Sequence, residues 1–575
     1  MSTTLATPKR VVPISAPRSA AAEERFFLIL SIFIGIFAGL AVVCFRVSIE
    51  WIRLIVLGSS LNVTGPRVVI APTLAGLFVA ALVMVFFPAV RGSGVNQTKS
   101  ALYISNGYIP LRTAIGKFIC SAIAIGSGHS LGPEDPSLQI GATLASALGR
   151  RLRLSREKVR LIAPVGAAAG LAAAFNAPIS AVLFVIEEVI GRWSAGILGS
   201  IVLSAVSSVV VTRFFLGSQV MFRIPSVSII RTEELLAYAA LGVVGGFAAL
   251  VFAKGIGWLR PTLQRLPRWT QYLQPAVAGL IIGCIGYFGF PQVMGAGYEF
   301  MDQAMHSQFT WQVLLILGAL KILSTTLSFT SGTPGGMFAP TLFIGAMLGG
   351  AIGVIERSQL PSLTGSVGTY ALVGMGVLFA AFLRAPLTSV FMVLEVSGNY
   401  SIILPVIVAN TIAYLLSRSL QPTPIFEVLT RQDGLLLPSM EEQREEEVLR
   451  VEDAMRAYDA PILDADELAY AAADRAVSAN EPQLLVRGPA ATWFVTTREA
   501  LRNSPRLDTV AHSLQTEPLP LLFPDIPLES ALRRFHEHMV LPVVNRANQS
   551  KLEGILTLDL VLKRYRAATY EPKED

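Results

Sequence analysis

The chain has 575 residues, a formal net charge of +6, 53% hydrophobic and 15% charged residues, and a mean hydropathy of +0.57. Soluble domains carry about 25% charged residues, so a soluble enzyme is excluded as a description of the whole chain and an integral membrane protein is expected. The basic excess flanks apolar segments, which removes the need for a nucleic-acid partner.

Residues 1–25 contain Lys9, Arg10, Arg18 and Arg25 but no short apolar core followed by a small-residue cleavage site, so they are expected to be retained as a cytoplasmic segment. Apolar runs then succeed one another from Phe26 to about Arg418, and several reach the roughly 20 residues that span hydrocarbon. Others, such as "TAIGKFICSAIAIGSG" and "APISAVLFVIEEV", are cut by Gly and Pro and read as helices that stop part-way through the membrane. The basic cluster Arg150, Arg151, Arg153, Arg156, Lys158 and Arg160 is expected in a second cytoplasmic loop. Cys44, Cys120 and Cys284 lie in apolar runs without metal-like spacing and read as packing residues.

A charged linker is expected over 431–450, followed by about 120 residues of ordinary soluble composition. Here the pattern becomes α/β and repeats. Residues 451–503 give helix, strand "QLLV", turn, strand "TWFVT", helix. Residues 504–568 give a helix with Leu528, Leu532, Phe535 and Met539 on one face, then strand "LPVV", strand "GILTL" and a closing helix. His536 and His538 have no third ligand in the pattern and read as exposed positions of that helix.

The apolar region also repeats, as about 26–215 and 234–420. "GHSLGPEDPSLQIGATLAS" from Gly128 aligns with "GTPGGMFAPTLFIGAMLGG" from Gly332, so that Glu134 stands opposite Phe338 at an offset of 204. "AFNAPISAVLFVIEEV" aligns with "FLRAPLTSVFMVLEVS", matching Glu187 to Glu395 at an offset of 208. Paired halves of this kind are often inverted, with the substrate held where interrupted helices converge.

Each Gly-rich loop followed by Pro and an apolar pattern is a helix start, with free backbone N–H groups and the positive end of the helix dipole facing the loop. Such ends attract anions without a fixed basic side chain. A third candidate end is "RGSGVNQTKSAL", where Ser93 offers a hydroxyl; taken alone, Ser93 reads more readily as a helix cap.

Four stretches in order, Gly92-Ser93-Gly94-Val95-Asn96, Gly132-Pro133-Glu134-Asp135-Pro136, "FNAPISAVLFVIEE" and Gly335-Gly336-Met337-Phe338-Ala339-Pro340, give a membrane region that resembles the CLC family of chloride channels and chloride/proton antiporters. The resemblance implies an all-α polytopic membrane domain over 26–430, with an inverted internal repeat and interrupted helices. The tail resembles a pair of cytoplasmic CBS modules, a companion of this family. By the resemblance, Glu134 is the external gating glutamate, Glu188 the internal proton-transfer glutamate, and Ser93, Met337, Phe338 and Phe426 the surroundings of a bound chloride. Glu187 is read as structural, since adjacent helical residues point about 100° apart.

The function expected is secondary active exchange of chloride for protons by a homodimer in the cell membrane, with both termini cytoplasmic. The alternatives are a passive voltage- or pH-gated chloride channel, an antiporter for fluoride or nitrate, and, from another class, an intramembrane hydrolase. No catalytic residue, metal or cofactor is expected; chloride is the bound substrate ion. An adenine nucleotide is the ligand that CBS modules raise, but here Asp559 stands one residue too close to Thr557 and Trp493 replaces a glycine. A purely linking or dimerising tail is the other reading.

This chain departs from the family at four further positions. Pro133 and Asp135 replace arginine and glycine around the gate, Asn96 replaces proline, and Phe426 stands where a tyrosine hydroxyl is usual. A phenyl ring closes space but donates no hydrogen bond.

Overall fold

Gly and Pro set the boundaries of the helices, and the apolar runs between them fill the rest. The computed structural model describes residues 20–570 except 60–64, 153, 155, 192–194, 223–232, 360–365, 436, 438–448, 478–480, 506–507, 515–516, 536–537 and 547. Lys9, Arg10, Arg18, Arg153, His536 and most of the 431–450 linker therefore lie outside the described residues. The chain forms two compact units, Met1–Gln443 and Arg444–Asp575.

The first half of unit one comprises α1 (Ala20–Val56), α2 (Arg67–Val85), α3 (Gly94–Tyr103), α4 (Leu111–Gly126), α5 (Glu134–Arg151), α6 (Arg156–Phe175), α7 (Pro178–Phe184) and α8 (Ala195–Leu216). The second half repeats that order: α9 (Glu234–Gln264), α10 (Gln274–Tyr287), α11 (Tyr298–Met305), α12 (Trp311–Thr330), α13 (Phe338–Gln359), α14 (Val367–Leu383), α15 (Pro386–Ser397) and α16 (Ile403–Leu420). A last helix, α17 (Ile425–Gln432), follows. Among the described residues, eight helices are long and apolar enough to cross a membrane. Helix α5 is not one of them, because it opens on two acids and closes on Arg150 and Arg151; it is nevertheless buried over most of its length.

Packing obeys the repeat at atomic detail. Helix α5 lies against α6 and α13 against α14, each at a crossing of two glycines. A Cβ on Gly141 would fall 2.2 Å from the Gly166 carbonyl oxygen, and one on Gly345 would fall 2.2 Å from that of Gly374. Only hydrogen fits there, which is how small residues let membrane helices approach closely. Between the halves, Gly132 and Gly336 form an antiparallel bridge with both N–H···O bonds at 2.8 Å. Helices α5 and α13 each begin two residues after that bridge.

A second exchange joins α15 to α7 and the π-helical turn Val185–Ile190 that continues α7. Glu187 accepts from the amides of Leu387 (3.2 Å) and Thr388 (2.9 Å) and from the Thr388 hydroxyl (2.6 Å). Glu395 accepts from the amides of Ile179 (3.0 Å) and Ser180 (2.7 Å) and from the Ser180 hydroxyl (2.5 Å). Each acid thus satisfies the orphan first-turn donors of the other half's proline-started helix, a structural use of Glu187.

Unit two contains a three-stranded sheet in the order β1 (Leu463–Asp464), β2 (Leu484–Arg487), β3 (Trp493–Thr496), and a pair of β4 (Val540–Val544) with β5 (Leu552–Thr557). The parallel strand β1 has no counterpart in the sequence reading. The structure corrects the reading of the helix expected to carry Met539. It spans only Leu528–Leu532, Met539 is exposed, and His538 follows the helix instead of lying on it. Trp493 is fully buried where Leu485 and Val495 meet Val540, Val544 and Ile555, and its indole N–H donates to the Gln549 carbonyl at 2.9 Å. Asp559 pairs with Lys563 at 2.9 Å on the surface.

Candidate functional site

Three helix starts meet at the Gly132–Gly336 bridge. Besides α5 and α13, the start of α3 arrives there: a Cβ on Gly94 would lie 2.6 Å from the Asp135 carbonyl oxygen, and one on Gly336 would lie 2.8 Å from the Asp135 Cβ. The lack of side chains at Gly94, Gly132 and Gly336 lets the backbones touch. It also turns first-turn N–H groups toward one another.

Two buried lysines brace this centre from behind. Lys117 of α4 donates to the carbonyls of Val90 (3.2 Å) and Gly92 (2.8 Å), and Lys321 of α12 donates to those of Val293 (3.0 Å) and Gly295 (2.7 Å). These lysines are 204 positions apart, the offset of the first repeat block. Each fixes the loop that precedes the start of a short helix, α3 or α11. Among the electrostatic neighbours of Lys117 is Asp135, and of Lys321 is Glu134.

Glu134 is fully buried. Its carboxylate accepts from the Ala339 amide in the first turn of α13 at 3.4 Å and from the Tyr298 hydroxyl at the start of α11. Arg46 of α1 lies within electrostatic reach. Beside Pro133 and Tyr298 a cavity of about 500 Å³ opens, lined by Arg46, Arg53, Glu50 and Glu299 among others. A carboxylate thus rests on a helix start, next to residues that line a cavity carrying both acidic and basic side chains.

Ser93 stands at the start of α3. Its hydroxyl, expected beside a chloride, donates to Asp135 Oδ1 at 2.9 Å, and it caps α3 by accepting from the Val95 amide at 3.2 Å. Met337 and Phe338 stand at the start of α13, both buried. The Phe338 ring packs edge-on against Phe184 (centroids 5.0 Å) and lies 6.4 Å from the ring of Phe426. Asn96 holds α17 in place by donating to the Phe426 carbonyl at 2.9 Å, a bond that a proline at 96 could not make.

Glu188, in the π-helical turn, is buried and pairs with Lys99 of α3 at 2.8 Å. The structure therefore gathers Ser93, Glu134, Met337, Phe338 and Phe426 around the helix starts, and ties Glu188 to the middle of α3 through Lys99. Sequence reasoning missed Tyr298 and Lys99. Extending the repeat to align "MGAGY" with "RGSG" would have drawn attention to Tyr298, whereas nothing in the pattern announces the Lys99 pair.

The sequence matches the family model described as voltage gated chloride channel over residues 75–418. The chain belongs to the CLC family. The H(+)/Cl(-) exchange transporter ClcA of Salmonella arizonae is 31% identical over 414 residues, which is 70% of this chain and 87% of that protein. A protein of Ralstonia nicotianae named as a ClcB-like chloride channel protein is 32% identical over 376 residues, 64% of this chain and 87% of its own length. The crystal structure of a eukaryotic CLC transporter aligns with a TM-score of 0.62 at 19% identity, covering 92% of this chain and 97% of that one; this shows a shared fold that extends into unit two. CLC proteins are transporters and channels, not enzymes, which sets the hydrolase alternative aside.

Proposed function

We propose that this CLC protein exchanges chloride for protons, with Glu134 as the gate. The observation that carries the reading is the Glu134 carboxylate lying on the first-turn Ala339 amide of the opposite repeat. An ionised carboxylate and a chloride ion carry the same charge and satisfy the same N–H donors, so they compete for one place. On protonation the side chain loses its hold on those donors and gives way to chloride. Proton occupancy and chloride occupancy are then coupled through one side chain.

Glu188 is proposed as the group that passes protons from the cytoplasmic side. Ser93, the amides of Met337 and Phe338, and the Phe426 ring are proposed to surround the transported ion. The Phe426 ring, without a hydroxyl, and the Lys99–Glu188 ion pair favour loose coupling, so a leaky exchanger or a channel is the second reading. A homodimer in the cell membrane, with both termini in the cytoplasm, completes the proposal. The fit of Trp493 between the two sheets supports a linking role for the tail.

The test is reconstitution in liposomes with an imposed chloride gradient and an internal pH indicator. Uphill proton movement is expected in the wild type and absent in Glu134→Gln, whose chloride flux becomes independent of pH. A Glu134→Gln protein with normal coupling would remove Glu134 from the gate. Chloride flux without chloride-driven proton movement in the wild type would establish the channel reading.

A further inference from the structure

The two consecutive acids at the start of α5 serve different helices. Glu134 reaches the start of α13, whereas Asp135, 2% exposed, turns to the start of α3. There its carboxylate accepts from three donors: the Ser93 hydroxyl at 2.9 Å, the Gly94 amide at 2.8 Å and the Val95 amide at 3.0 Å. Adjacent residues of a helix point about 100° apart, so one backbone position can direct two carboxylates to two ends.

We infer that Asp135 is a second, tethered anion that occupies the serine end of the ion path, so that chloride reaches Ser93 only by displacing it. The inference rests on the chloride-exchange reading and concerns a residue for which that reading has no use. Three charge-assisted donors on one carboxylate make a strong, directional seat. A chloride ion arriving from solution must compete with a group that is always present at high effective concentration. Gly336, packed on the Asp135 Cβ, closes the opposite side, and Lys117 of α4 is an electrostatic neighbour of the carboxylate. The plain alternative is a structural carboxylate that satisfies the first-turn donors of α3 and has no part in transport.

Chloride binding by titration calorimetry and initial chloride flux from liposomes, measured on full-length protein, separate the two. Asp135→Gly removes the tethered anion; Asp135→Asn keeps its shape and an accepting oxygen but removes its charge. Chloride affinity at least tenfold tighter than wild type in Asp135→Gly, and tighter also in Asp135→Asn, is the expected result. Lowered thermal stability with chloride affinity within twofold of wild type in both variants leaves only the structural role and overturns the inference. A wild type that exchanges chloride for protons while both variants match it overturns the inference alone. Absence of chloride binding and flux from all three proteins overturns the exchange reading as well.

Discussion

The starts of α5 and α13 share one backbone and differ in what stands on it. Both follow the Gly132–Gly336 bridge, both helices cross a neighbour at paired glycines, and each half keeps a buried lysine behind its short helix. Yet the first half places Glu134 and Asp135 where the second places Phe338 and Ala339. Symmetry therefore supplies donors from both sides, and asymmetry in two side chains decides what meets them. Had both halves carried acids, like charges would crowd one buried centre. With Phe338 and Ala339 opposite, Glu134 finds the Ala339 amide.

The symmetric part should break equally from either side. The largest effect is expected at the glycine crossings, where a methyl would fall 2.2 Å from a backbone oxygen in each half. Gly141→Ala and Gly345→Ala should each cost about 3 kcal/mol or more, read as loss of the monodisperse peak in detergent. A tolerated Ala in one half only would show that the two crossings are not equivalent.

Next come the lysines. Lys117→Met and Lys321→Met each remove two hydrogen bonds to backbone carbonyls, at about 0.5–1.5 kcal/mol net for each. Thermal melts should fall by similar amounts for the two variants. A drop confined to Lys321→Met would mean that its service to the Glu134 side outweighs its service to the loop.

The smallest effect probes the asymmetric part. Tyr298→Phe keeps the ring and removes the hydroxyl that Glu134 accepts from, a hydrogen bond worth roughly 0.5–1.5 kcal/mol net. Release of the gate should become easier, so chloride flux near neutral pH should rise several-fold, with stability lowered by no more than that amount. Flux identical to wild type would take Tyr298 out of gating.

Much of the architecture was legible because it is written in local rules. Membrane insertion follows from apolar length, helix starts follow from Gly and Pro, and the repeat is visible because close backbone approaches demand glycine at fixed offsets. The tail's paired strands were legible from alternating apolar runs. Strand β1 was not, since two residues, Leu463 and Asp464, carry no periodicity. Nor was the early end of the helix expected to run to Met539, because helical spacing alone does not say where a chain turns away.

The sequence by itself determined that this chain lives in a membrane, that it is built twice, and that Glu134 stands at a helix start opposite Phe338. Only the tertiary structure decided the partners. That Ser93 faces Asp135, that Glu134 is met by Tyr298 and Ala339, and that Glu188 is paired with Lys99 depends on where α3, α11 and α13 converge. Those contacts join residues 42, 164, 205 and 89 positions apart. A buried carboxylate must take whichever donors the fold brings to it, and that choice is made by packing across the repeat, beyond the reach of any local pattern.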